Sequence, residues 1–296
     1  MLATFASAGK FYRGNLHTHS NRSDGALEPQ EVCRRYKEAG YDFLCLSDHF
    51  LESFDLPLTD TRPFRDETFT TIIGAELHAP DTHLGELWHI LAVGLPLDFA
   101  ATSATETGPQ LARRAAEAGA FVGIAHPQWY GLNTEDGLSI DAAHAVEIYN
   151  HTCEMLSARP DGVVMLDHLL NAGRKLTGFA ADDAHFKAAD AFGGWVQVKA
   201  EELTPEALLA ALKAGHYYAS RGPEFLSVRR DGDKLHVETT PARSISLAGR
   251  ASASDVAHGE AITSATLDLS KFTGSWCRLV VTAGDGKRAW SQPEYL

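Results

Sequence analysis

The segment NLHTHS (residues 15–20) places two histidines one residue apart near the start of the chain. Because side chains alternate between the two faces of a β-strand, His17 and His19 point in the same direction if this segment ends a strand. Neutral imidazole is a common metal ligand, and Asp24 adds an anionic oxygen a few residues later. These three residues predict a metal-binding clamp, provided that similar groups follow other strands.

Similar groups do recur along the chain at or near the ends of apolar segments. They are Asp48-His49, Glu76, His89, His126 and Asp183-x-His185. In barrels built from β/α units, residues just after the strand C-termini meet at one mouth, where the chemistry is done. Imidazole and carboxylate ligands suit Zn²⁺, Mn²⁺ or Fe²⁺, and the absence of thiolates from the set disfavours a structural cysteine-type zinc site.

The elements that would position these groups are repeated β/α units from the start of the chain to about Gly222. Short apolar runs alternate there with amphipathic stretches. The first helix is predicted to open at Glu28-Pro29 and to end at Gly40, before an apolar strand at 41–47. Near-continuous apolar strands that alternate with helices imply a parallel sheet buried on both faces, with enough units to close into a barrel.

After Gly222-Pro223 the pattern changes to short strands without intervening helices. The predicted strands are 225–229, 234–239, 244–247, 265–269 and 277–282, and Asp231-Gly232-Asp233 is a hairpin turn by composition. The sequence therefore predicts a small all-β module at residues 223–296, packed against the first domain.

Length, charge and cysteine content limit the classes of protein to which the chain can belong. The chain has 296 residues and a formal net charge of -13, which argues against a dedicated nucleic-acid surface. The four cysteines show no C-x-x-C spacing and are expected to be small buried hydrophobes in a reducing compartment. With no apolar run long enough for a signal peptide or a membrane span, we expect a cytoplasmic protein and no membrane partner. The oligomeric state is left open.

The motifs NLHTHSNRSDG, LSDH, GAE, WHILAVGL, AHP and DDAH, in this order, resemble the PHP family, named for its polymerase and histidinol-phosphatase members. The resemblance covers about the first three-quarters of the chain. The segments LKAGHYYASRGPEF and RLVVTAGDGKRAWSQP are similar to the CehA/McbA-type subgroup, which carries a C-terminal β-module. The resemblance implies an α/β fold: a distorted (β/α)7 PHP barrel at residues 1–222, followed by a small β-sandwich-like domain at 223–296.

The resemblance also implies a site with two or three divalent metal ions (Zn, Mn or Fe). A first metal would be held by His17, His19, Glu76 and Asp183. Glu76 would bridge to a second metal bound by His89 and His126, and Asp24, His49 and His185 would hold a third. An anionic bridge is chemically reasonable because neighbouring cations repel each other. Asp48 is expected to orient an imidazole or cap a strand end, and Asp182 to point away from the site.

The expected reaction is hydrolysis of a phosphomonoester or phosphodiester by a metal-bridged hydroxide, with a small-molecule phosphoester as substrate. The catalytic candidates are Glu76, Asp183 and His185. The substrate-binding candidates are Arg22, His78, Trp129 and Arg221. Each of these four has a second interpretation: a salt-bridged residue for the arginines, an exposed loop position for His78, and packing beneath the C-terminal module for Trp129.

Two alternatives use the same residues differently. A carbamate or amide-ester hydrolase would direct the same hydroxide at a carbonyl, and Trp88, Trp129 and Tyr130 keep this alternative open, although the complete ligand set with Asp24 favours phosphoesters. The other alternative is a non-catalytic PHP binding module. It is disfavoured because degenerate modules lose ligands, and none is missing here.

Overall fold

The computed structural model describes residues 2–296, which form seven α-helices and sixteen β-strands. The helices are α1 (Leu2–Ala6), α2 (Pro29–Glu38), α3 (Gly108–Glu117), α4 (Thr134–Ser139), α5 (His151–Ser157), α6 (Val163–Asn171) and α7 (Pro205–Ala214). The strands up to residue 220 are β1 (Lys10–Asn15), β2 (Phe43–Leu46), β3 (His49–Phe50), β4 (Thr70–Ala79), β5 (Trp88–Val93), β6 (Phe121–Ile124), β7 (Ala145–Asn150), β8 (Thr177–Ala181), β9 (Trp195–Ala200) and β10 (Tyr217–Ser220). The remaining strands are β11 (Phe225–Asp231), β12 (Lys234–Gly249), β13 (Ser254–Asp268), β14 (Trp276–Thr282), β15 (Arg288–Trp290) and β16 (Glu294–Tyr295).

The helices begin and end where the sequence chemistry places them. The helix predicted from Glu28-Pro29 is α2, with Pro29 in its first turn and Tyr36 among its buried residues. The helix α7 begins after Thr204, whose side chain accepts a hydrogen bond from the backbone N–H of Ala207, and ends at Gly215 with φ 72°. These caps fix the helices that cover the sheet.

The strands between residues 10 and 220 follow one hydrogen-bonded path, β10-β9-β1-β2-β4-β5-β6-β7-β8. Parallel pairs join β1 to β2, β2 to β4, β6 to β7 and β7 to β8. However, β5 is antiparallel to both of its neighbours and β9 is antiparallel to β1 and β10. The prediction of a parallel sheet is therefore wrong. The connection between β4 and β5 is too short for a crossover helix, so the two strands form a hairpin.

The segments that follow β1 and β8 lie side by side. Thr18 forms a parallel bridge with Ala184, the backbone N–H of His19 donates to the carbonyl of Ala184 (2.9 Å), and the N–H of Asp183 donates to the carbonyl of His17 (2.8 Å). The segment after β8, the last strand of the path, therefore lies beside the segment after β1, and His17 and His19 lie next to Asp183.

The strands after residue 222 continue the same sheet, because β15 pairs with β10 through Ala219 and Trp290. They also enclose a hydrophobic cluster of their own that includes Phe225, Leu247 and Phe272. The separate strands predicted at 234–239 and 244–247 are one strand, β12, and β13 is far longer than the predicted 265–269. The sequence TTPAR at 239–243 obscured this continuity, since the register of β12 shifts between Glu238 and Ser244.

Polar contacts attach the C-terminal strands to the helical layer. The buried guanidinium of Arg278 forms an ion pair with Asp167 of α6, and Trp276 Nε1 donates to Asn171 Oδ1 at 3.2 Å. The side chain of Gln292 bonds both the N–H and the carbonyl of Gly178 in β8, at 2.7 and 2.9 Å. These contacts hold the tail against the strands that carry the site.

No helix within residues 2–296 is long and apolar enough to cross a membrane. The four cysteines are free and buried, as the sequence predicts for small apolar side chains.

Candidate metal centre

All nine predicted ligands converge at one end of the sheet. Their nitrogen and oxygen atoms form four overlapping groups, and within each group the ligand atoms lie within 4.8 Å of one another. The groups are His19, Asp24, His49 and His185; His49, Glu76, His78 and His89; His17, His19 and Glu76; and His17, His126 and Asp183. Residues scattered over the sequence therefore build one continuous cluster, and His78 joins it as a tenth member. Glu76 and His89 lie within β4 and β5 and not, as the sequence suggested, just after a strand.

Glu76 lies at the centre of the cluster and is fully buried in β4. Its Oε1 atom is 2.8 Å from His89 Nδ1 and 3.0 Å from His126 Nε2, whereas its Oε2 atom is 2.7 Å from His49 Nδ1. Burial alone would raise the pKa of Glu76, but the charges of His89, His49 and His17 lower it well below its ordinary value. Glu76 is therefore an anion that faces imidazoles on two sides.

Asp183 supplies the second buried carboxylate, directly after β8. Its Oδ1 atom is 2.9 Å from His19 Nε2 and 3.3 Å from His17 Nε2. Although burial opposes ionisation, the charges of His17 and His19 lower the pKa of Asp183 far below its ordinary value. Its φ of 56° lies in the left-handed region, which non-glycine residues rarely adopt. This backbone conformation directs the carboxylate into the cluster.

The outer part of the cluster contains Asp24, His49 and His185. Asp24 Oδ1 is 3.2 Å from His185 Nε2 and 3.5 Å from His49 Nε2, and its Oδ2 is 3.4 Å from Lys187 Nζ. Burial would lower the pKa of His185, yet the Asp24 and Asp183 carboxylates raise it to about 9. In contrast, burial and the nearby His49 and His185 lower the pKa of His19 to about 4. The carboxylates therefore stabilise the protonated form of His185, but they do not offset the lowering of the pKa of His19.

The donor atoms of the cluster fit a set of divalent cations. Among the described residues, seven buried atoms of the cluster lack a hydrogen bond of normal geometry: His17 Nε2, both ring nitrogens of His19, His126 Nδ1, Asp24 Oδ1, Glu76 Oε2 and Asp183 Oδ1. Several of them lie close to other members of the cluster, for example Glu76 Oε2 to His49 and Asp183 Oδ1 to His19. A buried polar atom without a partner costs about 1–3 kcal/mol, so seven in one place call for a common partner. Nitrogen and carboxylate donors of this kind suit Zn²⁺, Mn²⁺ or Fe²⁺.

Two aspartates that precede predicted ligands in the sequence have structural roles. Asp48 accepts hydrogen bonds from Ser20 N (2.7 Å), Ser20 Oγ (2.8 Å) and Ser23 Oγ (2.8 Å), so it fixes the loop that carries Asp24. Asp182 points away from the cluster and accepts a bond from the Tyr36 hydroxyl at 2.7 Å. Burial raises the pKa of Asp182 to about 6. Asp182 thus points away from the cluster as expected, whereas Asp48 bonds the Ser20–Ser23 loop and not an imidazole.

Sequence reasoning missed Glu147 and Asn150, which come from β7. Glu147 Oε1 is 3.1 Å from His17 Nδ1, and Asn150 Nδ2 donates to Asp183 Oδ2 at 3.1 Å. The available signal was a charged residue inside the apolar strand AVEIYN, which requires a buried partner.

A cavity of about 280 Å³ opens over the cluster. Its lining comprises Asp24, His49, Glu76, His89, His126, Trp129, Thr152, Cys153, Leu156, Asp183, His185, Lys187 and Asp190. Of the four predicted substrate-binding residues, only Trp129 belongs to this lining. Its ring lies 5.1 Å from the His126 ring and 5.5 Å from the His89 ring, measured between centroids. The cavity therefore has a polar floor of ligand atoms and one apolar wall.

The other three predicted substrate-binding residues lie outside this lining. Arg22 borders a different cavity. The Arg221 guanidinium stacks on the Tyr149 ring, 3.9 Å from its centroid. His78 is buried, with Nε2 2.9 Å from His49 Nδ1 and Nδ1 3.0 Å from the carbonyl of Trp88. The structure thus places His78 among the potential metal ligands.

No family model and no curated protein matches the sequence. Among solved structures, the chain is similar to a two-domain protein from Bacteroides vulgatus that contains a predicted PHP-like metal-dependent phosphoesterase. The TM-score is 0.53 and the identity 15%, over 97% of this chain and 95% of that one. An amidohydrolase from Chromobacterium violaceum gives a TM-score of 0.46 at 15% identity, over 60% of this chain and 89% of that one. A protein from Bifidobacterium adolescentis, described as a metal-dependent phosphoesterase, gives 0.44 at 13% identity, over 67% and 96%. The first of these similarities confirms the PHP resemblance at the level of the fold: the chain has a PHP-like α/β fold.

Proposed function

We propose that the protein is a metal-dependent phosphoesterase that hydrolyses a phosphomonoester or phosphodiester. The observation that carries this proposal is the cluster of buried imidazole and carboxylate groups, of which Asp24, Glu76, His126 and Asp183 line an open cavity. Divalent ions bound there would lower the pKa of a water molecule and offset the negative charge of the phosphoryl oxygens. The similarity of the fold to a protein with a PHP-like phosphoesterase agrees with this reaction.

The proposed ligand assignment follows the contacts. His17, His19, Glu76 and Asp183 hold one ion; Glu76, His89 and His126 hold a second; Asp24, His49 and His185 hold a third. His78 is close enough to His49 to complete either neighbouring position. Glu76 would contribute to two neighbouring positions, since its two oxygens face different imidazoles. Asp183 and His185 line the cavity and are the candidates that transfer a proton at the leaving group.

The finer details of the fold are part of the same proposal. A seven-unit barrel at residues 1–222 is supported by the bridge between Thr18 and Ala184, which joins the segments after β1 and β8. A β-module at 223–296 is supported by its own hydrophobic cluster. The CehA/McbA-type subgroup and a cytoplasmic location remain proposals that rest on the sequence.

A carbamate or amide-ester hydrolase is the second candidate function. The observation that favours it is the apolar wall formed by Trp129, Cys153 and Leu156, which suits an aryl or alkyl group beside a carbonyl. The same donor cluster would serve both reactions. A purely non-catalytic role is disfavoured, because every predicted ligand is present and the cavity gives access to the cluster.

The test combines metal analysis of the purified protein with three chromogenic substrates: p-nitrophenyl phosphate, bis(p-nitrophenyl) phosphate and an aryl carbamate. We expect two or three equivalents of Zn, Mn or Fe and turnover of a phosphate ester. The variants His17→Ala and His19→Ala should lose metal and turnover, whereas His258→Ala, which removes an exposed histidine of β13, should lose neither. Turnover of the carbamate alone would favour the second function, and a protein that binds no metal would refute both.

A further inference from the structure

We propose that Glu147 and Asn150 are positioning residues that together fix three metal ligands: His17, His126 and Asp183. The inference rests on the proposed metal site. Neither residue belongs to the four ligand groups, and both lie in β7, Asn150 as its last residue.

Glu147 is 0% exposed, although it carries a carboxylate in an otherwise apolar part of the strand. A buried charge is tolerated only where hydrogen bonds compensate for the lost hydration. Glu147 has such bonds on both oxygens: Oε1 lies 3.1 Å from His17 Nδ1, and Oε2 accepts from the backbone N–H of His126 at 2.6 Å. One carboxylate therefore contacts two predicted ligands.

The contact with His17 selects the ring nitrogen that can bind metal. A carboxylate beside Nδ1 keeps the proton on that atom, so the lone pair is on Nε2. His17 Nε2 is the buried atom that has no hydrogen-bond partner, and it lies 3.3 Å from Asp183 Oδ1 and 3.5 Å from Glu76 Oε1. The free lone pair thus points at the two carboxylates, an arrangement that a cation between them would stabilise.

The contact with His126 holds a strained backbone. The φ of His126 is 20°, a value that L-residues rarely adopt. The hydrogen bond from its N–H to Glu147 retains this conformation, which places His126 Nε2 at 3.0 Å from Glu76 Oε1. Such strain persists only where the surroundings fix the backbone.

Asn150 extends the same arrangement to the third ligand. Its Oδ1 accepts from the N–H of Cys153 at 2.8 Å and so caps α5. That bond leaves Nδ2 to donate to Glu147 Oε2 and to Asp183 Oδ2, each at 3.1 Å. The backbone of Asp183 also has a positive φ. The Asn150 amide therefore holds the carboxylate of a residue whose backbone is strained.

The test measures Zn²⁺ affinity by competition with a chromophoric chelator, in the full-length folded protein. Glu147→Gln keeps the size of the side chain but replaces one carboxylate oxygen with an NH2 group, so only one of the two acceptor positions remains. Asn150→Ser keeps a capping oxygen for α5 and removes the amide donor. The matched control is Asp182→Asn, which neutralises a buried carboxylate directly after β8 that bonds Asn15, Tyr36 and the backbone of residues 192–194 instead of ligand side chains.

We expect Glu147→Gln and Asn150→Ser each to weaken Zn²⁺ binding by about 10- to 100-fold, as for other residues that support metal ligands. Asp182→Asn should lower the melting temperature but change the Zn²⁺ affinity by less than about 2-fold. If Glu147→Gln does not fold, Asn150→Ser decides the question. Wild-type affinity in the folded variants would overturn the positioning role and leave the proposed function intact, whereas a wild-type protein that binds no Zn²⁺ would overturn the metal site itself.

Discussion

Replacement of Trp129 with alanine should reduce hydrolysis of aryl phosphates more than hydrolysis of small alkyl phosphates. Trp129 forms part of the apolar wall of the cavity and is 42% exposed. A tryptophan side chain offers up to about 250 Å², so roughly 100 Å² of Trp129 is open to a bound leaving group. If an aryl group covers between about half and all of that area, the gain is ~1–2.5 kcal/mol, or ~5- to 70-fold in kcat/KM.

The assay compares kcat/KM for phenyl phosphate and ethyl phosphate by release of inorganic phosphate. The ratio of the two values is taken for the wild type and for Trp129→Ala, because the intrinsic reactivity of each leaving group then cancels. Leu156→Ala, which removes the 67% exposed leucine of the same wall, should change the ratio in the same direction. Leu226→Ala is the matched control, since Leu226 is 64% exposed on β11, outside the cavity lining.

An equal loss on both substrates would refute the leaving-group interpretation. The Trp129 ring packs against the rings of His89 and His126, so such a loss would mean that Trp129 supports these ligands and does not contact the substrate. An unchanged ratio with unchanged turnover would place the leaving group on another side of the cavity.

Three other predictions test metal binding and the attachment of the tail. A chelator should lower the melting temperature by ~4 °C for each site that had been saturated at about 100 times its Kd, and calorimetry that shows no shift would contradict the metal assignment. Metal binding at pH 7 should release protons, because the pKa of His185 is raised to about 9 and its imidazole must be neutral to bind. The apparent affinity for the metal should thus rise with pH up to about 9. Titration calorimetry in buffers of different ionisation enthalpy measures the number of protons released on binding, and a value of zero would refute this reasoning. Asp167→Ala leaves Arg278 buried without its partner and should lower the free energy of unfolding by ~2–4 kcal/mol in urea, somewhat less than for a fully buried pair. The control Asp285→Ala removes an exposed pair and should leave stability unchanged.

The convergence of the nine candidate ligands could be predicted because they lie in short motifs. The period of two along a strand placed His17 and His19 on one side, and the β/α rhythm placed other ligands at strand ends. The same rule would have found His78: Glu76 and His78 are two residues apart in β4 and therefore share a face. From the sequence, His78 is instead expected to be a substrate contact or an exposed loop residue, whereas β4 continues to Ala79 and carries it.

Strand direction and long-range partners could not be predicted in the same way. An apolar run such as β5 has the same appearance in a parallel or an antiparallel pair, so only the short connection to β4 pointed to a hairpin. Glu147 stood out as a charge inside β7, but its partner His17 lies 130 residues away in sequence. Arg221 directly follows β10, but its guanidinium stacks on the Tyr149 ring and does not line the cavity.

Hydrogen bonds within the fold support the backbone conformations of two of the candidate ligands. His126 and Asp183 have backbone conformations that cost about 1–3 kcal/mol each for ordinary residues. Hydrogen bonds from elsewhere in the sheet hold both: Glu147 accepts from the N–H of His126, and the N–H of Asp183 donates to the carbonyl of His17. Since these bonds join strands β1, β6, β7 and β8, the strain at the site is offset by the pairing of the whole sheet. A cation bound there would meet ligands whose backbone these bonds support, so less of its binding energy would be spent on ordering them.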